Sequence, residues 1–386
     1  MATQPGSPKP ADGLEGVIAG TSSICYIDGV KGRLIYRGYD VVDLAEQSTF
    51  EEVAYLLWHA SLPTRGELGT LRAHLHAAGA LPAGALDVLK KIPATAQPMA
   101  MLRTMVSVLA HFDPDAAASA AASDNSRDAN VLKAIRITAQ IPALVAAFHR
   151  LRSGQTPLRP RDDLDFAGNY LYLLQGSAPA PDVARALDVV FILHADHEFN
   201  ASTFSGRVTA ATLSDMHSAV VSAVGTLKGP LHGGANEEVM RLLERIGSID
   251  RVEPVIMEML AAKKKVPGFG HRVYRTEDPR AGFLRLMSQQ LGERAGEPLW
   301  YQLTRKVEEI TTSQRRIFPN VDLYSSSVYR AMGIPVDLYT TTFAVSRIAG
   351  WSAHVLEQYG DNRLIRPMAE YTGPLDRVYV PLDRRD

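Results

Sequence analysis

Between residues 49 and 358 the apolar positions recur mostly at intervals of three and four, the spacing of helices with one buried face. Thr49-Phe50-Glu51-Glu52 has the pattern of a capping box, in which hydroxyl and carboxylate satisfy the first free N–H groups of a helix, and Val53, Leu56, Leu57 and Ala60 follow it. Thr64-Arg65-Gly66-Glu67 repeats the device ahead of Leu68, Leu71 and Leu75. Apolar runs at 98–112 and about 130–150 predict two more helices, separated by an Ala/Ser/Asp tract at 113–128 that reads as a surface connection. A polar loop is expected near 153–163. Beyond it the periodicity predicts helices at about 164–175, 181–195, 208–227, 235–246, 253–263, 279–292, 297–313, 322–332 and 340–358. Strand patterns are confined to Ile24–Ile27 and Arg33–Tyr36, which flank turn residues as in a small hairpin, and to Val378–Leu382. The expectation is an all-α protein with marginal β content.

Composition narrows the class. A chain of 386 residues can bury a large core, as one large domain or two. Its 41 Lys and Arg against 42 Asp and Glu leave a net charge of −1, which gives no electrostatic case for nucleic acid or an anionic membrane. The single cysteine, Cys25, excludes an internal disulfide and fits a reducing, cytoplasmic setting. The apolar runs around Ile135–Phe148 and Leu187–His194 are too short or too charged to read as membrane spans. Residues 1–13 are rich in Pro, Gly and small polar residues and are expected to be a disordered N-terminus, neither a secretory signal nor a transit peptide. No fixed repeat and no flexible linker divides the rest, so two lobes would have to be joined through structured elements near 225–234 and 319–333.

Three Gly/Pro-constrained turns each carry one proton-handling side chain: His232 in Gly229–Asn236, His271 in Lys265–His271, and Asp322 in Phe318–Asp322. His232 stands just ahead of a predicted helix N-terminus, where the dipole disfavours imidazolium; a neutral imidazole there suits a carbonyl oxygen turning into an enolate. A bland role as a loop or capping histidine stays open. Gly268 and Gly270 permit close backbone approach beside His271, and Arg272, Arg275 and Arg280 follow. Lys263–Lys265 either complements a helix C-terminus or meets phosphates. Asp322 is a helix cap or, in a water-poor pocket that raises its pKa, a base for a carbon-bound proton. His194-Ala195-Asp196-His197-Glu198 offers ligand-type residues, but its spacing matches no zinc motif. Arg347 interrupts an apolar helix and wants a buried carboxylate or an anionic ligand. Neither a dinucleotide nor a Walker glycine pattern occurs in place.

Together these stretches resemble the citrate synthase family, including its short bacterial and archaeal members. The matching pieces are HADHE at 194–198, GPLHGGANEEV at 229–239, KVPGFGHRVY with DPR ending at Arg280, FPNVD at 318–322, SRIAGW at 346–351 and NRLIRP at 362–367, with RGYD at 37–40. The departures are the Ala-rich 115–123 tract and Ser325-Ser326-Ser327, where relatives often carry a glycine. The resemblance implies a citrate-synthase-like two-domain helical homodimer, with residues 14–222 and 328–386 in a large domain and 223–327 in a small one. It implies the condensation of acetyl-CoA with oxaloacetate and water that feeds the tricarboxylic acid cycle, with no metal and no cofactor beyond the acetyl-CoA co-substrate. Asp322 would take the methyl proton, His232 would stabilise the enolate oxygen, and His271 would polarise the keto carbonyl. His197, Arg280 and Arg347 would bind oxaloacetate, with Arg366 entering from the neighbouring subunit. Lys265, Val266, Gly268, Gly270 and Arg272 are the candidate CoA contacts. The rival readings are a 2-methylcitrate synthase using propionyl-CoA or a dual-specificity enzyme, a silent CoA or dicarboxylate sensor, and a metallohydrolase built on His194 and His197.

Overall fold

The computed structural model describes residues 12–14, 16–117 and 126–385; nearly all of the 1–13 stretch and the middle of the 113–128 tract lie outside them. Side-chain caps decide where helices start. Asp40 caps α1 (Val41–Gln47), and Thr49 and Thr64 form the two full capping boxes of α2 (Phe50–His59) and α3 (Arg65–Ala78). Next come α4 (Ala83–Leu89) and α5 (Pro98–Leu109), then α6 (Arg127–Arg152) under a Ser126 cap. Asp165, Asn200 and Asp215 cap α7 (Phe166–Gln175), α9 (Ala201–Ala210) and α10 (Met216–Leu227), while α8 (Pro181–His194) opens on a proline. α11 (Ala235–Ile246) ends on left-handed Gly247 and leads to α12 (Val252–Ala261). Asp278 caps α13 (Pro279–Arg294), α14 (Pro298–Arg315) opens on proline, Asn320 caps α15 (Val321–Ala331), and α16 (Tyr339–Gly360) closes the series.

α16 is the axis. It is buried along almost its whole length, because Thr340–Thr342, Ser346 and Ser352 turn their hydroxyls onto backbone carbonyls or neighbouring side chains, leaving methyls and backbone to pack. α2, α6, α8, α9 and α10 pack against it. A second grouping has α15 at its centre, against α11, α13 and α14, with α12 behind α14. At the N-terminal side a three-stranded antiparallel sheet pairs β1 (Cys25–Asp28) with β2 (Arg33–Tyr36), Cys25 opposite Tyr36, and β2 with β3 (Tyr39–Asp40).

The all-α expectation is met, with four local corrections. The helix read over 208–227 is two helices, because Leu213 takes a left-handed φ of 63° and Asp215 starts a new cap. α1 and α4 were not legible as helices at all, and of α9 only the last residues were. Val378–Leu382 forms no strand among the described residues: the segment is exposed and pairs with no strand, and Pro381 lacks the N–H a ladder needs. Finally, α6 is long and apolar enough to cross a membrane, yet its most apolar window is 83% buried among α3, α5, α7 and α16, the position of a core helix.

Candidate active site

Backbone hydrogen bonds fasten the His271 turn to the Asp322 turn. Phe269 pairs with Pro319, Gly270 N–H donates to Phe318 O at 3.0 Å, and Asn320 N–H donates to Gly268 O at 3.0 Å. The Asn320 side chain completes the clasp: Nδ2 donates to Gly270 O at 3.0 Å, and Oδ1 accepts from Asp322 N–H at 3.0 Å. Asn320 is therefore the cap of α15, and the Asp322 carboxylate is released from that duty. Gly268 sits at φ +82°, and a Cβ there would lie 2.9 Å from Leu323 Cα, so the glycine is required by the turn and by α15 together. The His232 turn joins through Ser326 Oγ, donating to Asn236 O at 2.8 Å, and Thr340 Oγ1, donating to Gly233 O at 3.2 Å.

The neighbours of each imidazole fix its tautomer. Ser202 N–H points at His232 Nε2 from 3.2 Å, so Nε2 carries the lone pair and Nδ1 the proton. Ser202 Oγ lies 2.8 Å from the same nitrogen and accepts from Trp351 Nε1 at 3.1 Å, which pins the ring. His271 Nδ1 accepts from the backbone N–H groups of Val273 and Tyr274, both at 3.0 Å, so its proton is on Nε2. Burial, followed by the Arg347 charge, brings the His232 pKa down to about 4; burial, followed by Arg280, does the same for His271. Both are neutral donors at neutral pH. For His232 the cause is burial and a nearby cation, which replaces the helix-dipole argument made from sequence.

Asp322 keeps some surface contact, yet burial raises its pKa from 3.8 to about 6 against the opposing pull of Arg280 and Arg347. The Arg347 charge thus bears on Asp322, His232 and His197 alike. Its Nε donates to His194 O at 2.7 Å and its guanidinium lies over Phe343, leaving the terminal nitrogens without a protein partner among the described residues. Arg280 is gripped by Asp278 through Nε–Oδ1 at 2.9 Å and Nη2–Oδ2 at 2.7 Å, inside a buried pocket. The His197 ring stands 5.0 Å from that of His271, and its buried Nε2 has no partner; burial and then Arg280 hold it neutral. An unpaired buried ring nitrogen under the charge of two buried guanidiniums is a place for an anionic, oxygen-bearing ligand. A cavity of about 260 Å³ opens beside it, bordered by His271, Tyr274, Arg275, Arg316 and Phe318. A larger cavity, of about 650 Å³, lies elsewhere, between α2, α3, α6 and α7, away from all of these groups.

Other candidates fall outside the cluster. Arg366 is exposed on the extended tail after α16 and makes no hydrogen bond or ion pair within its own chain among the described residues. Lys265 and Arg272 are exposed cations, Gly270 borders the 260 Å³ cavity, and Val266 is packed in the core with only 7% of its surface exposed. His194 spends Nδ1 on Val190 O at 2.7 Å, an ordinary helical bond. Ser325, Ser326 and Ser327 are buried, and each has a backbone carbonyl for its hydroxyl, so they brace α15 and do not line the pocket. Sequence reasoning missed Ser202, Trp351, Asn320 as a clasp, and Tyr274, whose buried hydroxyl has no partner and whose ring lies 4.5 Å from His271. Only the Asn200-Ala201-Ser202-Thr203 cap pattern hinted at any of them.

A family model described as "Citrate synthase, C-terminal domain" matches residues 13–368. Citrate synthase 2 of Bacillus subtilis is 49% identical over 374 residues, covering 97% of this chain and 98% of its own. A 2-methylcitrate synthase of Shewanella oneidensis is 41% identical, with 97% of each chain covered. The citrate synthase of Thermoplasma acidophilum, solved as a ternary complex with carboxymethyl coenzyme A and oxaloacetate, superposes with a TM-score of 0.90 at 32% identity, over 97% of this chain and 98% of that one. With the three motif turns joined by hydrogen bonds and this match along nearly its whole length, the chain belongs to the citrate synthase family.

Proposed function

We propose that this protein condenses acetyl-CoA with oxaloacetate and water to give citrate and free CoA. Asp322 removes a methyl proton next to the thioester, while His232 Nδ1–H donates to the thioester oxygen and stabilises the enolate. The carbanion carbon then attacks the keto carbon of oxaloacetate. His271 Nε2–H polarises that carbonyl and supplies the proton to the alkoxide. Water finally cleaves the citryl thioester, releasing the thiol. A carbon acid this weak needs a base and a preorganised donor together, and two neutral imidazoles on turns joined to that of a carboxylate with a raised pKa supply both. The observation that carries the reading is this pairing of fixed tautomers with Asp322. A base near 6 is stronger than an ordinary carboxylate and is still ionised at neutral pH.

Arg280, Arg347 and His197 hold oxaloacetate in the monomer, and Arg366 of a second copy completes the clamp, in a homodimer with shared sites. The exposed tail supports this: Leu364, Met368 and Tyr371 are 59%, 90% and 67% exposed in the single chain. The 223–327 lobe moves against the rest to exclude water, and Lys265, Arg272 and Gly270 face the CoA. The acid, base and anion binders are all side chains, so the chemistry calls for no metal or prosthetic group. With Cys25 buried and unpaired, a reducing cytoplasm suits it.

The test is thiol release from acetyl-CoA and from propionyl-CoA, each with oxaloacetate. A higher kcat/KM for acetyl-CoA is expected, and a propionyl preference moves the chain to the 2-methylcitrate branch. One methylene is worth only about 1–3 kcal/mol in a pocket, so the comparison needs both substrates at matched oxaloacetate.

A further inference from the structure

We propose that the cavity between α2, α3, α6 and α7 is a second ligand site, which binds a small organic ammonium ion with an apolar body, Glu51 serving as its counter-ion. The cavity measures about 650 Å³, within the range of sites for small organic molecules, and shares no residue with the catalytic cluster. Leu75, Pro142, Phe166, Tyr170 and Leu173 give it apolar walls.

Glu51 is the unusual feature. It lines the cavity with only 1% of its surface exposed. Oε1 accepts from Phe166 N–H at 3.3 Å and meets Arg72 Nε at 3.4 Å, both long contacts, and Oε2 has no partner. An unpaired buried carboxylate oxygen is costly, and the capping box of α2 uses Glu52, which leaves Oε2 of Glu51 without a capping role. Asp162, Asp163 and Asp165 also border the cavity, opposed by Arg72 and His76. Each of those three already has a partner: Asp162 faces His76 at 2.9 Å, Asp163 is forked by Arg161, and Asp165 caps α7 through Gly168 N–H at 2.6 Å.

The sign of the ligand follows. An anion would face four carboxylates and, behind them, Asp188, itself pushed up to about 7 by burial and then by the Glu51 charge. A metal ion would find one deep carboxylate among apolar walls, and no cluster of three ligating residues occurs among the described residues. An alkyl- or arylammonium provides an N⁺–H for Oε2 and hydrocarbon for the walls. Burial raises the Glu51 carboxyl despite Arg72, the condition that an incoming cation relieves.

The probes are benzylammonium and hexylammonium chlorides, titrated against the full-length chain by calorimetry, with benzyl alcohol and hexanoate as controls of equal body. Saturable one-site binding of an ammonium is expected, at least tenfold tighter than either control. It should weaken at least tenfold in Glu51→Gln, and likewise in Ala73→Phe, which narrows the exposed mouth while leaving Glu51 in place. Thiol release by Ala73→Phe should stay at the wild-type level, which certifies its fold if Glu51→Gln proves unstable. Absence of saturable ammonium binding, or binding equal in wild type and Ala73→Phe, overturns the proposal. Tighter binding of hexanoate would overturn its charge logic.

Discussion

Replacing Asp322 by Asn should destroy activity and strengthen the fold, and the size of the second effect follows from the site. The folded carboxyl sits near 6 against a free value of 3.8, a shift of about 2 units or about 3 kcal/mol in favour of the neutral form. That is the net cost of ionising Asp322 in the folded chain, the opposing pull of Arg280 and Arg347 included. Because the folded pKa is raised, the cost is fully present above about 6, declines as the pH falls, and is nearly gone near 4. Asparagine matches the shape without the charge, so the variant should be about 3 kcal/mol more stable at pH 8, with the gain vanishing toward pH 4. Denaturant unfolding of both proteins, at one protein concentration because a dimer's stability depends on it, measures this. Thiol release should fall by a factor on the order of 10³, within the range for loss of a general base. A variant that keeps a tenth of wild-type turnover, or one less stable than wild type at pH 8, refutes the reasoning.

Two further outcomes test other parts of the site. Arg366→Ala and Arg347→Ala should each raise the oxaloacetate requirement sharply in a chain that still dimerises; subunits mixed in equal amounts should recover about a quarter of wild-type activity, since half the dimers carry one intact site. No recovery on mixing counts against sharing. Gly268→Ala should lose about 1–3 kcal/mol of stability and turnover with it, because the left-handed turn and the 2.9 Å approach to Leu323 both oppose a methyl group next to the base; wild-type turnover would show that the clasp does not set Asp322.

The proton-handling residues were legible because each stands alone on a glycine- or proline-marked turn, and helix starts were legible wherever a capping box preceded an apolar stripe. What stayed hidden depends on distant partners. Ser202 reads as one more first-turn polar residue until folding brings it under His232 across 30 positions. Asn320 looks no more like a cap than Asp322 does, and only the clasp to Gly270 separates their roles. The 211–215 break escaped notice because Leu213 adopts a left-handed backbone that no local signal announces. Val378–Leu382 has the composition of a strand, but strand formation requires a neighbour that the chain does not supply. Glu51 was counted only as part of a capping box, and its burial and open oxygen appear only when α3 and α7 close around it.

The pH dependence of kcat/KM for thiol release from acetyl-CoA, at saturating oxaloacetate, tests the central claim most directly. An ionised Asp322 working with imidazoles already neutral predicts a rise of one decade per pH unit up to about 6, then a plateau through pH 8. Activity that instead climbs as the pH falls from 8 to 6 would mean an imidazolium acid drives the step, and would contradict the account.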